Sequence, residues 1–278
     1  MIETHLTINH LSLCIQRWGH TPSIYILHGW LDQAASWEVV ANQLHRKGHH
    51  ILTYDHRGHG KSDHAPPASH YHFPDYVADL SLLHQHHQHE PITLIGHSMG
   101  GTIASIYASL FPSRVRKLIL VEGLGPAEES GSAILARYKK HILQREVPRT
   151  QPVFSSVDEA AERLCAHHPS LDIERARYLA KRQLIPHENS WVWSFDPRHK
   201  EKAAISFSLS RHLDILRNIS CPCSLIFGSE SPYAQWIDVA KRSEAIPNLA
   251  QTYYIEGGHS PHITHPHHLS KVLISILS

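Results

Sequence analysis

Short apolar runs alternate along this chain with segments whose apolar positions recur every three or four residues. The runs predict strands at Leu6–Ile8, Ser12–Gln16, Ile24–Leu27, Ile51–Tyr54, Ile92–Ile95, Leu118–Val121, Ser224–Phe227 and Thr252–Ile255. The helical spacing predicts helices at Ser36–Arg46, Asp75–His87, Met99–Phe111, Tyr233–Ala245 and Pro266–Leu277. Strands that alternate with helices imply an α/β fold, a mostly parallel eight-stranded sheet covered by helices on both faces. The alternation lapses from Gly125 to about Ala204. That stretch is polar, shows helical patterns such as Asp158–His167 and Ile173–Leu184, and contains no convincing strand. It reads as an inserted helical cap, residues 125–204, on a core domain of residues 1–124 and 205–278.

One run carries more than pattern. The apolar Ile92–Ile95 leads into Gly96-His97-Ser98-Met99-Gly100, and a helical pattern follows. Gly-x-Ser-x-Gly between a strand and a helix is the setting in which a serine is held on a tight turn as a nucleophile. A Gly-rich turn with a capping serine is the plainer alternative. Open α/β sheets bind ligands beyond the carboxyl ends of their strands. Four such ends carry unusual residues: His28-Gly29-Trp30, then Ser98, then Glu122-Gly123, then Gly257-Gly258-His259. A nucleophile, a carboxylate and a histidine therefore fall on one edge, in the order Ser98, Glu122, His259. Glu122 would otherwise be an isolated carboxylate closing an apolar run, which is costly to bury unpaired.

Composition narrows the class. The chain has 278 residues, 41% hydrophobic and 18% charged, enough for one globular unit with a sizeable core. A formal net charge of +1 gives no reason to expect nucleic acid or a membrane surface as partner. No apolar run reaches the length of a membrane span. The first residues alternate polar and apolar rather than offering a basic start and an apolar signal core, so a cytoplasmic protein is expected. The scattered Cys14, Cys165, Cys221 and Cys223 predict free thiols. Histidine is unusually frequent, at 28 residues. His84, His86, His87 and His89 crowd one segment, and His262, His265, His267 and His268 another. Without cysteines or carboxylates at zinc-type spacing, these read as solvated faces, and no metal is expected.

The segments LHGWLDQAASW, YDHRGHGKSD, GHSMGG, FPSRVRKLILVEG, CPCSLIFGSES and IEGGHSPH occur in order and cover nearly the whole chain. On these the sequence resembles the α/β-hydrolase fold enzymes. The HGWLD start and SFDPRHK further resemble the serine-hydrolase-like subgroup. The resemblance implies Ser98 as nucleophile and His259 as the base that takes its proton. It usually places the acid three residues after the glycine that closes the Ser224–Phe227 strand. That glycine is Gly228, and the slot holds Ser231. Glu230 is one residue early. Glu122 matches relatives, certain haloalkane dehalogenases among them, whose acid ends the strand after the nucleophile helix. Glu122 is the favoured acid, Glu230 the alternative.

The resemblance also implies an oxyanion hole from the amides of Trp30 and Met99, with His28 holding that loop. It makes Asp55, Arg57 and Asp63 a structural turn network. Trp30, Tyr138, Trp191, Trp193 and Phe195 are candidates for the substrate pocket, although the last four would equally dock the cap onto the core. The expected activity is that of a carboxylesterase, a serine hydrolase acting on a small-molecule ester through an acyl-enzyme, without cofactor, as monomer or homodimer. Serine at position 98 argues against the aspartate-nucleophile chemistries of this fold. Thioester and carbon–carbon bond hydrolysis use the same triad and remain open. So does a ligand-binding protein without turnover, which the missing carboxylate at Ser231 favours and Glu122 opposes.

Overall fold

The computed structural model describes residues 1–87, 90–128, 134–147 and 149–278. His89 of the first histidine cluster, and residues 129–133 and 148 of the expected cap, lie outside them.

The strands are β1 (Ile2–Ile8), β2 (Leu11–Trp18), β3 (Ile24–Leu27), β4 (Ile51–Tyr54), β5 (Ile92–His97), β6 (Val115–Val121), β7 (Val153–Phe154), β8 (Leu184–His187), β9 (Ser190–Trp193), β10 (Cys223–Gly228) and β11 (Leu249–Ile255). Eight of them form one sheet in the order β1-β2-β4-β3-β5-β6-β10-β11. β1–β2 and β2–β4 pair antiparallel, and every other neighbour in the sheet is parallel. The helices are α1 (Glu38–Arg46), α2 (Phe73–His87), α3 (Met99–Leu110), α4 (Ile134–Leu143), α5 (Val157–His167), α6 (Ile173–Gln183), α7 (Leu209–Arg217), α8 (Tyr233–Trp236), α9 (Val239–Glu244), α10 (Pro261–Thr264) and α11 (Pro266–Leu277).

Strand alternation divides the core into two layers. Tyr25, Leu27, Leu94, Leu118 and Leu120 pack with Leu80 of α2, Ile103 and Tyr107 of α3 and Leu213 of α7. Ile24, Ile26, Ile95, Ile119 and Val121 pack on the opposite face with Val40 and Leu44 of α1 and Leu269 and Leu273 of α11. A third cluster, with Phe154, Ala160, Leu179, Trp193 and Phe195, lies within the 125–204 segment, and Leu31 and Ile263 pack against it.

Two expectations need correction. The 125–204 segment does contain strands: β7, β9 and β8 make a three-stranded antiparallel sheet. They run for only two to four residues, and β8 includes Pro186 and His187, too short and too polar for a period of two to stand out. The helix read as Tyr233–Ala245 is two. Ile237 is extended, and Asp238 starts α9 anew by accepting from the Lys241 N–H at 3.0 Å. α4 and α7 were not anticipated. All four cysteines are free. No helix among the described residues is long and apolar enough to cross a membrane.

Candidate active site

Register brings the unusual strand ends together. Leu27 pairs with Gly96, His97 with Val121, and Gly228 with Ile255. The residues that follow, Trp30, Ser98, Glu122 and His259, emerge at one edge of the sheet.

Ser98 sits between β5 and α3 with φ 50° and ψ −115°, a left-handed conformation that costs a non-glycine residue energy. The turn closes because its flanks lack side chains. A Cβ on Gly96 would stand 2.6 Å from the Gly100 carbonyl oxygen, and one on Gly100 would stand 2.3 Å from that of Leu27. The Ser98 N–H donates to the Val121 carbonyl at 3.1 Å, which ties the turn to β6.

Glu122 follows β6, also at positive φ (51°), and its N–H donates to the Ile226 carbonyl at 2.9 Å. Its carboxylate is fully buried and accepts three hydrogen bonds. Gly228 N–H reaches one oxygen at 2.6 Å, while the Ser231 hydroxyl at 2.6 Å and His259 Nδ1 at 2.9 Å share the other. A carboxylate can only accept, so Nδ1 carries the proton and Nε2 is bare. His259 Nε2 lies 3.0 Å from Ser98 Oγ and accepts from its hydroxyl. The His259 side chain is 37% exposed, so one end of this relay is dry and the other meets the cavity. Glu230 lines that cavity, but among the described residues it makes no hydrogen bond to His259; its N–H donates to the Gly257 carbonyl.

Near Ser98, the N–H groups of Trp30 and Met99 have no acceptor among the described residues. Met99 is the first residue of α3, where such N–H groups are left free and the helix end is positive. His28 accepts from the His56 N–H at 2.9 Å through Nε2 and donates from Nδ1 to the Gly29 carbonyl at 2.7 Å, fixing the loop. Burial lowers its pKa, so it stays neutral. Asp55 accepts from the N–H groups of Ala34 and Lys61, Arg57 makes a two-pronged pair with buried Asp79 at 2.6 Å, and Asp63 accepts from the Ser12 N–H. None of the three lines the cavity.

The cavity measures about 880 Å³ and reaches Ser98 and His259. Its floor includes Trp30, Leu31 and Gly258, and its upper wall includes Leu164, Leu179, Trp193 and Phe195. Trp191 and Tyr138 are not among its lining residues. Trp191 sits two residues back along β9, paired with Phe154 and Pro186 at the far end of the small sheet. Tyr138 lies on α4, none of whose described side chains is buried, and is 43% exposed.

Two features of the site escaped the sequence. Ser231, the apparent gap in the acid slot, supports the Glu122 carboxylate. A second polar group lies beside the relay: Asp32, His97 and His262. His97 Nε2 donates to the His259 carbonyl at 2.7 Å, and burial holds His97 well below its ordinary pKa and hence neutral. Burial alone would raise the Asp32 carboxyl, but the His262 hydrogen bond at 3.0 Å and nearby imidazoles hold it below its usual value. The histidine before Ser98 and the aspartate of HGWLD were visible signals, but residues 32 and 262 meet only in the fold.

Residues 22–266 match the family model described as alpha/beta hydrolase fold. A "Serine hydrolase-like protein" of Danio rerio is 25% identical over 275 residues, covering 94% of this chain and 84% of that one. A "Probable serine hydrolase" of Drosophila melanogaster is 29% identical over 281 residues, covering 94% and 82%. Among solved structures, the "Thioesterase Domain From Curacin Biosynthetic Pathway" superposes with a TM-score of 0.87, 29% identity and 99% coverage of both chains. The chain belongs to the α/β-hydrolase fold family, within a range of hydrolase relatives.

Proposed function

We propose that this α/β-hydrolase is a serine hydrolase that cleaves carboxylic esters through an acyl-enzyme on Ser98. One observation carries the reading: the unbroken relay from Ser98 Oγ through His259 to Glu122, at 3.0 and 2.9 Å. A serine hydroxyl is a poor nucleophile until a base takes its proton. His259 Nε2 is bare and within reach to do so. Glu122 fixes that tautomer and stabilises the imidazolium that forms. The Trp30 and Met99 amides serve the oxyanion, because they lie near Ser98 with nothing else to bond. His259 then returns the proton to the leaving alcohol and activates the water that releases the acid. This chemistry draws on no cofactor.

Residues 125–204 act as a cap that shapes the acyl pocket, with Trp193 and Phe195 as walls and Trp30 on the opposite side. Trp191 and Tyr138 are left out of that role. Thioester hydrolysis is the second reading. It is favoured by the likeness, at 29% identity and over 99% of both chains, to a structure titled as a thioesterase domain.

The test is hydrolysis of p-nitrophenyl esters from two to sixteen carbons beside matched acyl thioesters. The wild type should turn over at least one series, and Ser98→Ala should lower kcat on the order of 10⁶-fold. A variant that keeps most of its activity overturns the reading. A rate advantage for thioesters at equal acyl length would select the second.

A further inference from the structure

The Asp32–His97–His262 group is not used by the proposed chemistry, yet it touches it. Asp32 Oδ2 and His262 Nε2 are 3.0 Å apart. One nitrogen from each imidazole and one carboxylate oxygen all lie within 4.8 Å of one another. Both rings are buried. His262 is 1% exposed and stacks on Trp37 at 4.5 Å and 9°, and His97 is 3% exposed with its centroid 4.3 Å from that of His262. With its Nε2 given to the His259 carbonyl, His97 keeps a buried Nδ1 without any hydrogen-bond partner. Such an orphan is unusual, since buried polar atoms are nearly always satisfied.

We propose that this group is a binding site for a divalent transition-metal ion of the zinc class, and that the bound ion reversibly inhibits the hydrolase. Two imidazoles and one carboxylate form a donor set that zinc accepts in sites with one open position. Ligands about 2.0 Å from zinc in a tetrahedron stand about 3.3 Å apart, close to the Asp32–His262 separation of 3.0 Å; the third, at up to 4.8 Å, is brought in by a side-chain shift of up to about 1.5 Å. Asp32 and His97 both line the main cavity, which gives the ion an entry path and water as its fourth ligand.

Inhibition follows from position. His97 directly precedes Ser98 and holds the His259 carbonyl at 2.7 Å, with its ring centroid 5.1 Å from that of His259. Drawing His97 onto an ion therefore displaces the residue that touches both partners of the Ser98–His259 hydrogen bond. The inhibitory half rests on the proposed Ser98–His259 chemistry, whereas the binding half does not.

Zinc binding is measured on the chelator-stripped 278-residue chain by competition with a zinc-responsive dye. The variants are wild type, Asp32→Asn, His262→Gln, and a surface control carrying His86→Gln and His268→Gln, both exposed. Thermal melting of each variant checks folding. The expected result is one tight site, weakened at least about tenfold in Asp32→Asn and in His262→Gln but unchanged in the control. Ester hydrolysis by wild type should fall as that site fills and recover with chelator. Tight binding that survives both site variants, or that is lost in the surface control, identifies adventitious histidines and overturns the site. Tight, variant-sensitive binding without loss of activity overturns the inhibition. Should one site variant fail to fold, the other decides. Absence of any hydrolysis would sink the proposed function while leaving the zinc titration fully readable.

Discussion

The floor and the roof of the cavity are built in opposite ways. On the floor, Ser98 and Glu122 hang from the buried strands β5 and β6, both in left-handed backbone conformations and both tied by N–H groups to neighbouring strands. The roof rests on β7, β8 and β9, of two to four residues, on α5 and α6 around a small core of their own, and on α4, which buries none of its described side chains. The floor spends backbone strain to fix three groups within hydrogen-bonding distance. The roof offers apolar walls around a small core of its own. Under the proposed function, the contrast assigns bond cleavage to the sheet and the choice of acyl group to the 125–204 segment.

Three experiments sharpen or break that contrast. The largest effect belongs to Glu122. Glu122→Gln keeps shape and removes charge, and kcat should fall on the order of 10⁴-fold for every ester alike. Glu230→Gln should cost about tenfold or less. Comparing kcat for the two on one short ester, with circular dichroism as the folding check, decides between them; a crippled Glu230 variant and a near-normal Glu122 variant would reverse the assignment. Next comes the roof. Trp193→Ala should alter kcat/KM for long acyl chains by about 10- to 200-fold relative to the shortest ester, whereas Tyr138→Ala should leave the profile flat. A chain-length profile unchanged in Trp193→Ala removes the roof from selection. The smallest effect is expected at Ser231. Ser231→Ala removes one of three donors to Glu122 and leaves two, so kcat should drop a few-fold, about 1 kcal/mol, with KM unchanged. A loss as deep as that of Glu122→Gln would mean that Ser231 does more than steady the carboxylate.

The floor was legible in the sequence because its signals are local. Apolar runs mark β3, β5, β6 and β10, and a strand end is a place where one polar residue stands out, as Ser98 and Glu122 do. The roof was not. Two- to four-residue strands carry no readable period, and the pairing of β7 with β9 joins residues nearly forty positions apart. Trp191 and Trp193 look equivalent as sequence and both pack with the small cluster of the roof, yet only Trp193 lines the cavity. The same limit hid the support from Ser231, which lies 109 residues from the carboxylate it serves. Histidine frequency misled in a different way: the crowded runs read as solvated faces, yet His262 of the second run is buried and meets His97 from a separate part of the chain.

The loop that carries Trp30 belongs to the floor by sequence but is laced to the roof. Gln183 Nε2 donates to the Leu31 carbonyl at 2.6 Å, Gln33 Nε2 to that of Leu179 at 3.0 Å, and Trp30 Nε1 to that of His199 at 3.1 Å. The two parts are therefore not interchangeable modules in evolution or in engineering. A roof transplanted from a relative without Gln183 would leave the Leu31 carbonyl unpaired, and the Gln33 side chain and the Trp30 indole would keep partners only if its backbone carbonyls fell where those of Leu179 and His199 lie. Chimeras that exchange residues 30–33 together with the roof should inherit catalysis along with selectivity, and lineages that remodelled one would have had to remodel the other in step.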